Sequence, residues 1–181
     1  VKPTQALKAT LEGIRVMKMD EAAGWGDIFI TATGMKDIIA GDHFDKMKDG
    51  AILCNTGHYD CEINLGHLEA KSKSKRTIRD NCEEYLQHDG RRIYVIGQGR
   101  LVNLAAAEGH PSEVMDMSFA NQFLGMVFMA ENGKGLEGKV YDIPPEQDQD
   151  LARIKLATMG LAIDSLTPEQ VAYADNYLEG T

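Results

Sequence analysis

The segment of residues 47–58 constrains the fold of this chain more than any other. It reads Met-Lys-Asp-Gly-Ala-Ile-Leu-Cys-Asn-Thr-Gly-His. Gly50 suits a turn after a helix, and the small and branched residues of Ala51–Asn55 predict a buried strand. In open α/β sheets, ligands bind just beyond the carboxyl ends of the strands. The segment therefore predicts a parallel strand that presents Gly57 and His58 at a ligand crevice.

Strands and helices alternate around this segment. Residues 27–34 read as a buried strand that ends in threonines and a glycine, and residues 14–17 read as a short strand before it. A strand–helix–strand order predicts parallel strands joined by right-handed crossovers. The sequence therefore predicts an α/β fold.

The pattern changes after residue 70. Asp89-Gly90 separates two extended patterns, residues 77–87 and 91–96, and predicts an antiparallel hairpin. A further strand is expected at residues 101–104. The basic cluster of residues 71–79 is interpreted as a solvated loop.

Helical patterns fill most of the remaining chain. Pro3 suits a first helical turn, and Thr167-Pro168-Glu169-Gln170 has the order of a capping box. We expect helices at residues 3–12, 19–23, 42–47, 64–70, 146–159 and 168–177. An apolar stripe at helical spacing is interpreted as core packing rather than a cofactor contact. It consists of Phe119, Phe123, Met126, Val127 and Ala130.

Residues 142–181 are too few to form a hydrophobic core of their own. We therefore expect this C-terminal part of the chain to pack on another domain or another subunit.

Composition narrows the class of protein. The 181 residues carry a formal net charge of −9, which argues against a nucleic-acid surface as the main function. The three cysteines are odd in number and form no C-x-x-C pair, so we expect no disulfide framework and a cytoplasmic location. No apolar run approaches the roughly 18 residues of a membrane helix.

Two Gly-His pairs are the main candidates for chemistry, at His58 and His110. Each histidine can be read as an ordinary surface residue or as part of a ligand crevice, since imidazole titrates near neutral pH. Asp60 is a hypothetical partner that orients His58. Asn103 can bind an amide or a hydroxyl group with its donor and acceptor. We expect both imidazoles to meet in one cleft.

A third candidate site follows the strand at residues 27–34. The hydroxyls and backbone N–H groups of Thr31, Thr33 and Gly34 are expected to hold ribose or pyrophosphate oxygens. No zinc-ligand spacing, G-x-S-x-G elbow or Walker A loop occurs in the sequence.

Four motifs together resemble one known family. They are residues 26–34, 47–60, 99–104 and 109–112, and they occur in the family's order. They are similar to S-adenosylhomocysteine hydrolase (adenosylhomocysteinase), and the likeness runs from Pro3 to Thr181.

The resemblance implies a division of the chain into three parts. Residues 1–117 are expected to form the second half of a Rossmann-type NAD-binding domain. Residues 118–145 would be a helix and connector returning to a substrate domain, and residues 146–181 a C-terminal helical extension. The family's substrate domain and G-x-G-x-x-G half precede the part that this chain matches.

The resemblance also assigns binding residues by matching position. NAD contacts are expected from Gln5, Thr31, Thr33, Gly34, Met35, Thr56, Gly57, His58, Asn103 and His110, and nucleoside contacts from Gly109, His110, Met115 and Phe119. Many relatives have Asn at the position of Met35. Some relatives end in a lysine and a tyrosine that reach a neighbouring subunit's NAD, and residues 177–181 lack both.

The family reaction implies a catalytic role for His58. S-Adenosylhomocysteine is cleaved reversibly to adenosine and homocysteine through NAD-dependent oxidation of the ribose 3′-hydroxyl, elimination, water addition and reduction. His58 is expected near the 3′-oxygen. The resemblance further implies small-molecule partners, no metal, no nucleic acid or membrane, a homo-oligomer (tetramer or dimer), and a place in the methionine cycle.

Two other interpretations remain open. D-2-Hydroxyacid dehydrogenases carry a similar Met-Lys-x-Gly-Ala strand, but they usually have Arg-Gly where this chain has Gly57-His58. The 181-residue piece alone is expected to be catalytically inactive, as an NAD-binding or oligomerisation module.

Overall fold

The computed structural model describes residues 2–174. The chain divides into two compact units, Val1–Gly109 and His110–Thr181. The first unit contains a mixed sheet with its helices, and the second is helical.

The first unit is built on one five-stranded sheet. Its strands are β1 (Ile28–Thr31), β2 (Ala51–Asn55), β3 (Ser72–Arg79), β4 (Cys82–Gln87) and β5 (Arg92–Ile96). Their order in the sheet is β1-β2-β5-β4-β3. Strands β1, β2 and β5 are parallel, while β4 runs antiparallel to both β5 and β3. The predicted α/β fold with parallel strands is therefore confirmed.

Eight helices occur within the described residues. They are α1 (Pro3–Leu11), α2 (Met19–Trp25), α3 (His43–Lys46), α4 (Leu65–Lys71), α5 (Val102–Ala105), α6 (Ser112–Asn132), α7 (Pro145–Thr158) and α8 (Pro168–Ala174), with 3₁₀ turns at Gly97–Gly99 and Gly133–Gly135. None of these helices is both long and apolar enough to cross a membrane.

The core lies where α2, α3 and α4 cover the sheet. Phe44 of α3 and Leu68 of α4 are fully buried together with Leu53, Tyr85 and Ile93 of the strands. Burying a side chain of this size contributes about 1.5–3 kcal/mol. Burial against the sheet therefore explains how helices as short as α3 persist, since four residues make too few hydrogen bonds to be stable alone.

Two predicted strands are wrong. Residues 14–17 form no strand among the described residues, and Ile14 and Val16 remain exposed. A strand needs a neighbour for its backbone groups. In the predicted strand at residues 101–104, only Leu101 forms a bridge, to Asn55, and α5 begins immediately after it.

The hairpin region contains one more strand than predicted. Asp89-Gly90 does separate β4 from the antiparallel β5, as expected. The extended pattern at residues 77–87, however, covers the end of β3, a turn at Asp80-Asn81 and the whole of β4. The basic cluster is thus an edge strand with exposed side chains rather than a loop. Charged side chains on an edge strand discourage pairing with other chains.

The second unit follows its predicted helices but buries little. No residue of α6, α7 or α8 is buried. Phe119, Phe123 and Met126 are each more than half exposed, so their interpretation as core packing is wrong for the described residues. The capping box at α8 is confirmed, because Gln170 N–H donates to Thr167 Oγ1 at 3.2 Å and Thr167 N–H donates to Gln170 Oε1 at 2.9 Å. The end of the predicted helix, residues 175–177, lies outside the described residues.

Candidate functional site

The carboxyl ends of β1 and β2 lie side by side. Thr31 is paired with Asn55 in the parallel register, so the segments that follow both strands emerge at the same edge of the sheet. We call residues 33–35 the β1 loop and residues 56–60 the β2 loop. Thr56 ties the two strands together, since its N–H donates to the Thr31 carbonyl at 2.7 Å and its hydroxyl donates to the same carbonyl at 3.2 Å.

Asn55 cross-links three segments at this edge. It is fully buried, and its Oδ1 accepts from the Thr31 hydroxyl at 3.0 Å and from Gly57 N–H at 2.6 Å. Its Nδ2 donates to the carbonyls of Tyr59 at 2.8 Å and Gly99 at 3.0 Å. One amide therefore fixes the end of β1, the β2 loop and the segment that leads to Asn103.

Glu62 holds the β1 loop from beneath. It is also fully buried, and its carboxylate accepts four hydrogen bonds from two residues. Thr33 N–H donates to Oε1 at 3.1 Å and to Oε2 at 2.9 Å, and the Thr33 hydroxyl donates to Oε2 at 2.8 Å. Gly34 N–H donates to Oε1 at 2.7 Å. The donors expected to bind ribose or pyrophosphate are thus already satisfied inside the protein.

Burial and hydrogen bonding have opposite effects on Glu62. Desolvation by burial raises the pKa of this carboxyl, but the hydrogen bonds from Thr33 and Gly34 outweigh it, so the net pKa lies below the ordinary value of 4.5. Glu62 is therefore ionised at neutral pH. Cys54 in β2 shows the simpler case, since burial alone raises the pKa of its thiol.

Gly57 has no room for a side chain. A Cβ at this position would fall onto Glu62 Oε1 and would lie 2.9 Å from Asn55 Oδ1. The glycine is buried, while its neighbours Thr56 and His58 are exposed. Close packing on the inner side of the β2 loop therefore requires glycine and places His58 at the surface.

His58 has an aromatic neighbour. The ring of Tyr59 packs edge-to-face against it, with ring centroids 4.5 Å apart. Orientation of the imidazole by the Asp60 carboxylate stays a prediction.

Asn103 lies in α5 rather than at a strand end. Leu101 forms a parallel bridge with Asn55, the last residue of β2. Asn103 lies two residues after Leu101 and is half-buried. Its carbonyl accepts from Gly109 N–H at 2.8 Å. The structure thus brings Asn103 to the same sheet edge as the β2 loop.

Other predicted site residues fall into three groups. Thr31 is buried with its hydroxyl on Asn55, so a ligand contact from that hydroxyl is not supported. Gln5 of α1 and Met35 of the β1 loop are exposed in the first unit, and their contacts with NAD stay predictions. His110, Met115 and Phe119 belong to the second unit, so the expected meeting of His58 and His110 also stays a prediction.

Sequence reasoning missed Asn55 and Glu62 as site residues. Their common signal is a polar residue within an apolar run, Asn55 after Leu53-Cys54 and Glu62 between Cys61 and Ile63. Burying such groups is costly unless they are hydrogen-bonded, so this pattern indicates an internal partner.

The side chains of Asn103 and His58 at this edge fit one end of a dinucleotide. The amide of Asn103 has the donor and acceptor that a carboxamide requires, and His58 is accessible on the β2 loop. The N–H groups of Thr33 and Gly34 are engaged by Glu62 and do not fit the pyrophosphate. No cluster of metal-ligating side chains occurs within residues 2–174.

Comparison with known proteins points to one family. Residues 1–109 match the family model described as "S-adenosyl-L-homocysteine hydrolase, NAD binding domain". Adenosylhomocysteinases from Nostoc sp. and Aeropyrum pernix are 52% and 54% identical over 181 and 177 residues, which are 100% and 98% of this chain. An S-inosyl-L-homocysteine hydrolase from Methanocaldococcus jannaschii is 53% identical over 181 residues, 100% of this chain.

The matched relatives are longer than this chain. The alignments cover 43%, 42% and 43% of these three proteins, so the chain spans less than half of their length. NAD, the cofactor expected from the resemblance, is the one named in the description of the matched family.

Proposed function

This chain belongs to the S-adenosyl-L-homocysteine hydrolase family, and we propose that it supplies the nicotinamide side of the active site in an NAD-dependent adenosylhomocysteinase. The reaction is the reversible hydrolysis of S-adenosyl-L-homocysteine to adenosine and L-homocysteine. The observation that carries the proposal is the β2 loop, in which Asn55 and Glu62 hold Gly57 and leave His58 exposed beyond the end of a parallel strand.

The proposed roles of this chain's residues are to bind and orient the cofactor and to exchange a proton with the substrate. NAD, when bound, would supply hydride-transfer chemistry at the ribose 3′-carbon. Asn103 would hold the carboxamide of the nicotinamide ring. His58 holds or moves a proton at the 3′-oxygen, for which an imidazole on an accessible loop is suited.

The second unit completes the proposal. Residues 118–145 form the helix and connector towards a substrate domain, and residues 146–181 form the C-terminal extension. Gly109, His110, Met115 and Phe119 line the bound nucleoside. The whole protein is a cytoplasmic homo-oligomer, a tetramer or a dimer, that acts in the methionine cycle.

A second substrate is supported by the relatives. Two proteins named S-inosyl-L-homocysteine hydrolase, from Methanocaldococcus jannaschii and Methanococcus maripaludis, are 53% and 54% identical to this chain. S-Inosylhomocysteine differs from S-adenosylhomocysteine only in the base. Homocysteine release from each substrate, followed with a thiol reagent under the same conditions, distinguishes the two.

The test uses the protein that carries this chain, in its longest expressed form. Heating it is expected to release NAD, and His58→Ala is expected to lower turnover on the order of a hundredfold or more. His88→Ala is the matched control, because His88 is also exposed and lies in the β4–β5 turn, before β5 begins and hence at the opposite edge of the sheet. Unchanged turnover in His58→Ala contradicts the role of this imidazole, and a wild-type protein that binds no NAD and cleaves neither substrate contradicts the function.

A further inference from the structure

Glu62 is a buried charged group that the proposed chemistry does not use. It is fully buried and lies against both loops of the crevice. Its carboxylate accepts four hydrogen bonds from Thr33 and Gly34 of the β1 loop. Its carboxylate also occupies the space into which a side chain at position 57 would extend. One carboxylate therefore fixes the β1 loop and limits the β2 loop.

The backbone of Glu62 is itself held firmly. Its carbonyl accepts from Ile39 N–H at 3.0 Å, and the next residue, Ile63, forms a parallel bridge with Ile39. Both isoleucines are 1% exposed. A carboxylate anchored in the core in this way transmits the rigidity of the sheet to a loop that is otherwise exposed.

The geometry of the donors requires an acceptor with two oxygens. Thr33 N–H reaches both Oε1 and Oε2, the Thr33 hydroxyl reaches Oε2, and Gly34 N–H reaches Oε1. An amide in the same place would set its NH₂ group against Thr33 N–H, donor against donor. Hydrogen bonds to a charged acceptor are also stronger than those to a neutral one.

We propose that Glu62 is a positioning residue of the NAD site. This rests on the function proposed above. Glu62 contacts no ligand; it holds residues 33–35 and Gly57 at a fixed separation, so that the exposed β1 loop and His58 are already in place when the dinucleotide binds. Pre-organisation of this kind raises affinity because the loop is not ordered at the cost of binding energy.

Three variants separate this role from a purely structural one. Glu62→Gln keeps the shape but removes the charge and one acceptor, and Glu62→Asp keeps the charge on a shorter side chain. Glu69→Gln is the matched control, since Glu69 is an exposed glutamate on α4, seven residues along the chain. Should Glu62→Gln not fold, Thr33→Ala is the alternative variant. It removes the hydroxyl that donates to Glu62 and accepts from Met35 N–H, and it is expected to act in the same direction with a smaller effect.

The first readout needs no cofactor. Amide hydrogen exchange at Thr33 and Gly34 is expected to become roughly tenfold faster or more in Glu62→Gln, while amides of β4 and β5 keep their protection. The exchange rates of these two amides in Glu62→Asp should lie between those of the wild type and Glu62→Gln, and the rates in Glu69→Gln should match the wild type. Equal acceleration throughout the sheet indicates a general loss of stability and overturns the proposal, as does unchanged exchange in the β1 loop.

The second readout is NAD affinity of the protein that carries this chain. The dissociation constant for NAD is expected to rise about tenfold or more in Glu62→Gln, with partial recovery in Glu62→Asp and no change in Glu69→Gln. An unchanged constant in Glu62→Gln overturns the positioning role. Failure of the wild-type protein to bind NAD contradicts the proposed function instead, and hydrogen exchange at Thr33 and Gly34 still reports whether Glu62 orders the loop.

Discussion

The two units of this chain use their apolar residues differently. In the first unit, Phe44 of the four-residue helix α3 is fully buried. In the second unit, Phe123 of the 21-residue helix α6 is 60% exposed. The shorter helix is therefore the better packed one.

The difference separates helix formation from burial. A helix as long as α6 makes most of its hydrogen bonds within itself, so its sequence pattern suffices to predict it. Burial requires a surface on which to pack, and the sheet supplies one to α2, α3 and α4. Apolar spacing in α6 thus predicts a face suited to packing without showing what that face contacts.

The largest expected effect on stability comes from replacing these two phenylalanines with alanine. Phe44→Ala should lower the free energy of unfolding by about 3–5 kcal/mol because it leaves a cavity in the core. Phe123→Ala should change it by no more than about 0.5 kcal/mol because its side chain is mostly exposed. Urea unfolding of the 181-residue chain, followed by circular dichroism, measures both.

A milder core substitution can replace Phe44→Ala if that variant does not fold. Ile39→Val should lower the free energy of unfolding by about 0.5–1.5 kcal/mol, since Ile39 is 1% exposed. Equal losses for Phe44→Ala and Phe123→Ala would show that the α6 face is covered in solution and would remove the contrast between the units.

Alanine substitutions at two glycines, one in each unit, are expected to change the stability of the chain in opposite directions. Gly57→Ala should destabilise the chain by about 1–3 kcal/mol, because its Cβ would collide with Glu62 and approach Asn55. Gly125→Ala lies within α6 with open space around it and should stabilise the chain by about 0.5–1 kcal/mol, because alanine favours helix. The same unfolding measurement applies. A neutral Gly57→Ala would be inconsistent with the packing of Glu62 beneath the β2 loop.

Local patterns in the sequence predict a large part of the fold. The bounds of β2 are those predicted, and the Asp89-Gly90 hairpin and the Thr167 cap are confirmed. Local patterns fail where structure depends on a distant partner. Residues 14–17 have strand composition but no neighbour within the described residues, and β3 is a strand because β4 pairs with it despite its charged sequence.

The site shows the same limit. His58 is predictable because a Gly-His pair directly follows a recognisable strand, and the structure leaves it exposed there. Glu62 is not, because its partner Thr33 lies 29 residues earlier in the chain. The hydroxyl and N–H groups of the β1 loop look available for a ligand in the sequence, and only the fold shows that a buried carboxylate accepts them.

The smallest expected effect concerns ion pairs in the two units. Asp49 precedes β2 and accepts from Arg92 at the start of β5, with Nη2 to Oδ2 at 2.8 Å and backbone N–H to Oδ1 at 2.8 Å. These side-chain and backbone hydrogen bonds lower the pKa of Asp49 to about 2. Because this value lies below the ordinary 3.8, the stabilisation is complete above about pH 4 and is lost as the pH falls towards 2.

Asp49→Asn should therefore lower the melting temperature at neutral pH, and the gap from the wild type should close near pH 2. The gap should be small and should shrink with added salt, since both side chains are 47% exposed. Asp150→Asn, which breaks the exposed pair with Arg153 in α7, should change the melting temperature less, because that pair joins neighbouring turns of one helix and closes no long-range contact. A gap for Asp49→Asn that is independent of pH would mean that the charge of Asp49 does not link β2 to β5, and the two units would then not differ in how their ion pairs contribute.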